Sequence, residues 1–148
     1  MIVEAQITIN GTKTSVWTAI TNIRDAAKII SGIEKIEVLN EPVNELVGLK
    51  WRETRMYFGK PSAIDKWITE AVENKFYKDR ADMDGFIFIT TMTISENGDS
   101  IRLTSSHETK SQGVIAKIKS LPMIFFRGML KKAIQQDLND IKTAVENK

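Results

Sequence analysis

The chain has 148 residues, enough for one domain with a substantial core, and its 42% hydrophobic and 27% charged residues are an ordinary globular balance. A formal net charge of +2 is too small to imply a polyanionic partner, and with no Cys/His finger or RNP-like aromatic motif no nucleic-acid partner is expected. The absence of cysteine excludes disulfides, thiolate metal sites and cysteine nucleophiles.

The N-terminal residues Met1-Ile2-Val3-Glu4-Ala5 alternate at once, without the basic and long apolar regions of a signal peptide. Residues 2–10 continue that alternation, with Val3, Ala5, Ile7 and Ile9 on one face, and predict a half-buried strand. Asn10-Gly11 breaks it, and Thr12 or Thr14 is placed to cap a helix carrying Val16, Trp17, Ile20 and Ile23 at helical spacing. A second short helix over roughly 25–31 stops at Ser31-Gly32.

Strands dominate from there. The pattern predicts them over 33–39, 47–58, 63–73, 75–83, 86–95 and 101–110, with Gly59-Lys60-Pro61, Asp84-Gly85 and Asn97-Gly98 as turns. Six strands in an unbroken meander should pair antiparallel. From about Gly113 the period becomes helical, and Phe126, Leu130, Ile134, Leu138, Ile141 and Val145 form one stripe. Pro122 is expected to kink or restart this helix. The longest apolar run, Leu121 to Phe126, is far too short to span a bilayer, so a cytoplasmic protein is expected. Strand, two short helices, six strands and a long final helix make an α+β arrangement of seven strands, in which a curved antiparallel sheet wraps the final helix and a cavity can form between them.

The strand over 47–58 carries the most informative residues. Leu49, Trp51, Glu53, Arg55 and Tyr57 share the face with the larger aromatics, the better candidate for the inside. An ion pair at ~5 Å gains about 3 kcal/mol at an effective dielectric near 20. Desolvation costs several kcal/mol per ion, so an inward Glu53 and Arg55 call for water, another polar group or a ligand head. The alternative is a register that leaves this face, and the pair, in solvent.

The order of elements and several local strings resemble the SRPBCC superfamily, the helix-grip fold of START lipid-transfer domains and the birch-pollen allergen. The subgroup it is most similar to is the polyketide cyclase/dehydrase and lipid-transport family. The strings are Ile7-Thr8-Ile9-Asn10 leading into Val16-Trp17, and Ser31-Gly32-Ile33. Val47-Gly48-Leu49-Lys50-Trp51-Arg52-Glu53-Thr54-Arg55, Ile68-Thr69-Glu70 and the tail from Gly113 to Glu146 complete the set. The resemblance covers essentially the whole chain. It implies a single ligand-binding domain over 1–148 that holds a hydrophobic or amphipathic molecule between sheet and final helix, and it transfers fold and cavity better than any reaction.

On this reading Trp51, Glu53, Arg55, Tyr57 and His107 meet the ligand's polar end. Trp67, Phe86, Phe88, Thr90, Met92, Met123 and Phe126 complete the wall. His107, the only histidine, shares a strand face with Ile101, Leu103 and Ser105 and is able to accept a proton or hydrogen-bond a ligand. Two other readings stand beside binding. One is a cyclase or dehydratase in which Glu53 or His107 moves a proton and Arg55 or Tyr57 stabilises an enolate. The other is an interaction module with a vestigial cavity. No nucleophile triad can be assembled from Ser105, Ser106 and His107. One histidine without cysteine or an EF-hand loop gives no metal site, and no phosphate-cradling glycine motif appears, so no cofactor is expected. Lys117, Lys119, Arg127, Lys131 and Lys132 flank the final helix, read first as an ordinary solvated face and second as allowing transient contact with a membrane surface without insertion, and a monomer or weak dimer is expected. The inward face of 63–73 is undecided: Ala63, Asp65, Trp67, Thr69 and Ala71 compete with Ile64, Lys66, Ile68, Glu70 and Val72, and neither set is cleanly apolar.

Overall fold

The computed structural model describes residues 1–57, 59–111 and 121–147, and only the backbone of 121–126. Strand β1 (Ile2–Ile9) leads into helix α1 (Lys13–Thr21). A 3-10 turn (Ile23–Asp25) and the short helix α2 (Ala26–Ile29) follow. Six strands come next: β2 (Ile33–Asn40), β3 (Lys50–Tyr57), β4 (Lys60–Val72), β5 (Phe76–Met83), β6 (Phe86–Asn97) and β7 (Ser100–Ser111). Helix α3 (Leu121–Glu146) closes the described chain. The expected helix over 113–120 lies outside the described residues.

Local chemistry accounts for the joints. Thr12 caps α1 in a reciprocal box: its Oγ1 accepts from the Ser15 amide at 3.0 Å, and Ser15 Oγ accepts from the Thr12 amide at 2.9 Å. Asp84 and Gly85 both take positive φ, 53° and 79°, the turn whose twist matches the strands it joins. The seven strands form one antiparallel sheet in the order β1-β7-β6-β5-β4-β3-β2, so the meander runs from β2 to β7 and β1 adds to the far edge of β7. Strand β3 is shorter at its start than the pattern predicts, because Gly48 turns the chain with φ at 94°. Strand β4 begins earlier and includes Pro61, opposite Met56 of β3. Its pairing to β5 extends only as far as Trp67 opposite Arg80, so no ladder bond is asked of the proline nitrogen.

The core lies between the concave sheet face and the helices. Val3, Ala5 and Ile9 of β1, Ile94 of β6, and Ile101 and Leu103 of β7 are buried in one cluster with Val16 and Ile20 of α1. Ile134, Leu138, Ile141 and Val145 of α3 complete it, at the spacing the sequence predicts. Polar straps fix α3 against the sheet. Glu146 accepts from the Asn10 amide at 2.8 Å, Lys142 donates to the Thr8 carbonyl at 2.8 Å, and Asp140 accepts from the amide and hydroxyl of Ser31 at 2.9 and 2.8 Å.

Candidate functional site

Strand alternation sends Trp51, Glu53 and Arg55 of β3, and Leu49 just before it, toward the helices. Trp51 is 2% exposed and Glu53 7%. Arg52 on the opposite face pairs with Asp65 at 2.7 Å in solvent. Beside β3, register pairs Ile68 with Asp79, Asp79 with Thr90 and Thr90 with His107, so one row crosses the inner face of four strands. Lys66, two residues before Ile68, shares that face.

A shift in register between Ile68 and Glu70 resolves the ambiguity of β4. Before it the inward residues are the even-numbered Lys66 and Ile68. After it Ala71 faces inward, opposite Tyr77, and Val72 is exposed. A bulge changes the parity of a strand, which is why neither alternating set is apolar throughout.

The inward charges form one network. Arg55 Nε donates to Glu53 Oε2 at 2.7 Å, and its Nη1 and Nη2 donate to Asp137 of α3 at 3.2 and 2.8 Å, a bidentate bridge from sheet to helix. Gly32 leaves room for that guanidinium, since a Cβ there would lie 2.9 Å from Nη1. Trp51 Nε1 reaches Glu53 Oε1 at 3.4 Å. Lys66 Nζ stands 3.8 Å from Glu53 Oε1 and 3.9 Å from Asp79 Oδ1. Asp79 Oδ1 is buried without a hydrogen-bond partner among the described residues. Ser105 Oγ is 2.9 Å from His107 Nε2, and Thr90 Oγ1 is 3.4 Å from Nδ1.

Environment sets the ionisation of each group. Burial would raise Glu53, but Lys66, Arg55 and the hydrogen bonds from Arg55 and Trp51 hold its carboxyl at about 2. Burial pushes Asp79 up to about 6, with Glu53 adding to the effect and Lys66 opposing it. Burial and the positive Lys66 and Arg55 push His107 down to about 3, so its ring is neutral. Burial also raises Asp137, against the hydrogen bonds of Arg55. Burial works to lower the Lys66 ammonium, but Asp79 and Glu53 hold it above its ordinary value.

The sheet groups floor a cavity of about 80 Å³ whose roof, Asp137 excepted, is apolar: Ile20 of α1, Ile23, Ile29 and Ile30, and Leu138 and Ile141 of α3. A larger cleft of about 360 Å³ lies on the outer sheet face among Thr69, Lys78, Glu108 and Lys110; it is open to solvent and flanked by charges of both signs. Among the described residues no group of three or more His, Cys, Asp and Glu side chains is placed to hold a metal ion.

Of the residues singled out in the sequence, Trp51, Glu53, Arg55, Thr90, Met92 and His107 line the inner cavity. Trp67 does not. It faces outward, with Lys50 and Arg80 at 5.7 and 5.9 Å from its ring, because the inward positions of that part of β4 belong to Lys66 and Ile68. Tyr57 has the parity of Glu53 but lies 56% exposed at the strand end. Phe86 and Phe88 share the inner face with Thr90 yet lie along β6 away from the cavity, their rings 6.1 Å apart. The side chains of Met123 and Phe126 lie outside the described residues. The sequence reading does not single out Lys66, Tyr77, Asp79 or Asp137 as site residues. Asp79 is legible as the inward acid between Tyr77 and Ala81, and Asp137 as an acid beside Leu138 in the apolar stripe.

A long helix gripped by a curved antiparallel sheet, over a charged cavity floor, defines a helix-grip protein. Solved structures agree at low identity. A START superfamily protein from Mycobacterium smegmatis is 12% identical with a TM-score of 0.79, over 99% of this chain and 97% of the other. The Zhui aromatase/cyclase of a Streptomyces species is 15% identical with a TM-score of 0.76, over 99% and 93%. A Thermus thermophilus protein is 14% identical with a TM-score of 0.79, over 99% and 98%. No family model matches the sequence, and no curated protein matches it either. Among the described residues no helix is long and apolar enough to cross a membrane.

Proposed function

We propose that the protein binds a small hydrophobic or amphipathic ligand between sheet and final helix, for transport or sequestration. The observation that carries this reading is the contrast within one cavity: a roof apolar but for Asp137, over a floor where Asp79 keeps a buried oxygen without a partner among the described residues. A dry core disfavours such an atom, whereas a ligand with a polar end satisfies both surfaces. The cavity of about 80 Å³ suits a ligand's head group. Pockets that hold a whole ligand of usual size run to roughly 300–1,000 Å³, so the described cavity is assigned to the polar end alone. The names of two structural neighbours, a START superfamily protein and an aromatase/cyclase, accord with a ligand-holding interior.

A cyclase or dehydratase built on Glu53 or His107 is less well supported. Efficient proton transfer asks for groups that titrate near the working pH, and these two are held at about 2 and about 3. Purified protein, denatured and extracted for mass spectrometry, should release a lipid or aromatic molecule. Repeatedly empty extracts, with no thermal shift across a panel of lipids and aromatics, would sink the proposal.

A further inference from the structure

We propose that the ligand's polar end is a neutral hydroxyl, of an alcohol or a phenol, which donates to Oδ1 of Asp79 and accepts from Nζ of Lys66. This inference rests on the binding function proposed above and names the chemistry of the same site.

Elimination among the floor groups points there. Arg55, the obvious receptor for a ligand anion, already commits three of its five N–H donors and both faces of its charge to Glu53 and Asp137, leaving one N–H on each terminal nitrogen. His107 sits between the hydroxyls of Ser105 and Thr90. Among the described residues the charged groups of the floor with open valences are Lys66 and Asp79, beside the hydroxyl of Tyr77. Their separation of 3.9 Å is too long for a direct hydrogen bond. Lys66 is also 3.8 Å from Glu53, again beyond that range. An oxygen at ~2.8 Å from both Nζ and Oδ1 would subtend roughly a right angle, an arrangement one hydroxyl can fill with its own donor and a lone pair.

Charge narrows the class further. The cavity holds three carboxylates, Glu53, Asp79 and Asp137, against two cations, Arg55 and Lys66. A ligand carboxylate or phosphate would add like charge next to Asp79 and Glu53, where burial strengthens the repulsion. An ammonium would meet Lys66 at close range. A neutral group that both donates and accepts escapes both penalties. The raised carboxyl of Asp79 fits a carboxylate short of donors.

The test is calorimetric titration of the full chain with 4-propylphenol, 4-propylbenzoate, 4-propylbenzylamine and propylbenzene, and with 1-octanol as the aliphatic hydroxyl. At least one hydroxyl probe should bind about tenfold or more tighter than the benzoate and the amine. Whether the phenol or the octanol leads tells an aromatic from an aliphatic source, and either supports the proposal. Asp79→Leu should bring the probes within about threefold of one another while keeping affinity for propylbenzene. Lys66→Met should do the same, and decides the matter if Asp79→Leu does not fold. Benzoate or amine binding as tightly as the hydroxyls, or a hydroxyl preference that survives both substitutions, overturns this inference and leaves ligand binding standing. No binding by any probe overturns it together with the binding function.

Discussion

At the scale of single residues, the site is governed by how few of its charges find complete partners. Arg55 is the best satisfied, bridging Glu53 and Asp137. Removing it leaves two carboxylates without their guanidinium, so Arg55→Met should cost about 3 kcal/mol in urea unfolding. A loss below about 1 kcal/mol would mean the pair behaves as a surface bridge. Acid titration supplies a second prediction, and its signs differ among neighbours. Glu53 falls from 4.5 to about 2, so its stabilisation is present above 4.5 and is lost as pH falls through about 2. His107 falls from 6.5 to about 3: the unfolded chain binds the proton more readily, and stability declines as pH drops from 6.5 toward 3. Asp79 rises from 3.8 to about 6, so its contribution runs the other way and stability declines as pH rises between those values. His107→Asn should therefore flatten the acid limb. Between pH ~7.5 and ~4.5 the native protein should lose roughly 2–3 kcal/mol more than the variant. Parallel losses in the two proteins would show that His107 titrates normally.

At the scale of elements, Gly32 connects the turn after α2 to the sheet and to α3. A Cβ there intrudes on Arg55 Nη1 at 2.9 Å, and a guanidinium pinned by Asp137 has little room to yield. Gly32→Ala should cost ~1 kcal/mol through Arg55, and that cost should vanish in an Arg55→Met background. Full additivity in the double-mutant cycle would place the effect elsewhere. In α3, Leu138 is fully buried in the roof of the cavity, and Leu138→Ala should cost about 2–5 kcal/mol in the same unfolding measurement.

Elements were also the level at which the sequence was most readable. Leu49, Trp51 and Glu53 obey strict alternation, and Ile134, Leu138 and Ile141 obey helical spacing, so strand face and helix stripe follow from period alone. Strand β4 resisted because its bulge after Ile68 reverses parity, and a bulge leaves no mark in a period-two count. Before the shift, pairing with β3 sets Lys66 opposite the inward Trp51 and Trp67 opposite the outward Lys50, so the site has a cation where the aromatic was one candidate. Asp79 and Asp137 are hard to read from the sequence for a related reason. An acid on an inward face reads as an exception until the partners across the sheet are known, and those partners lie 13 and 82 residues away in Lys66 and Arg55.

At the scale of the whole molecule, the sheet and α3 enclose an interior that is apolar on the helix side, Asp137 excepted, and charged on the sheet side. That asymmetry is the basis for assigning the ligand to the inner cavity rather than to the larger outer cleft. The three tryptophans make the choice measurable, because they occupy three places. Trp51 lies in the inner cavity, Trp67 on the outer face between Lys50 and Arg80, and Trp17 on α1 against Tyr77 at 6.3 Å. In a nitrogen-labelled sample titrated with 1-octanol or 4-propylphenol, the indole N–H signal of Trp51 should move to saturation while that of Trp67 stays in place. Movement of Trp67 with Trp51 fixed, or no movement of either, would contradict a ligand site between the sheet and the final helix.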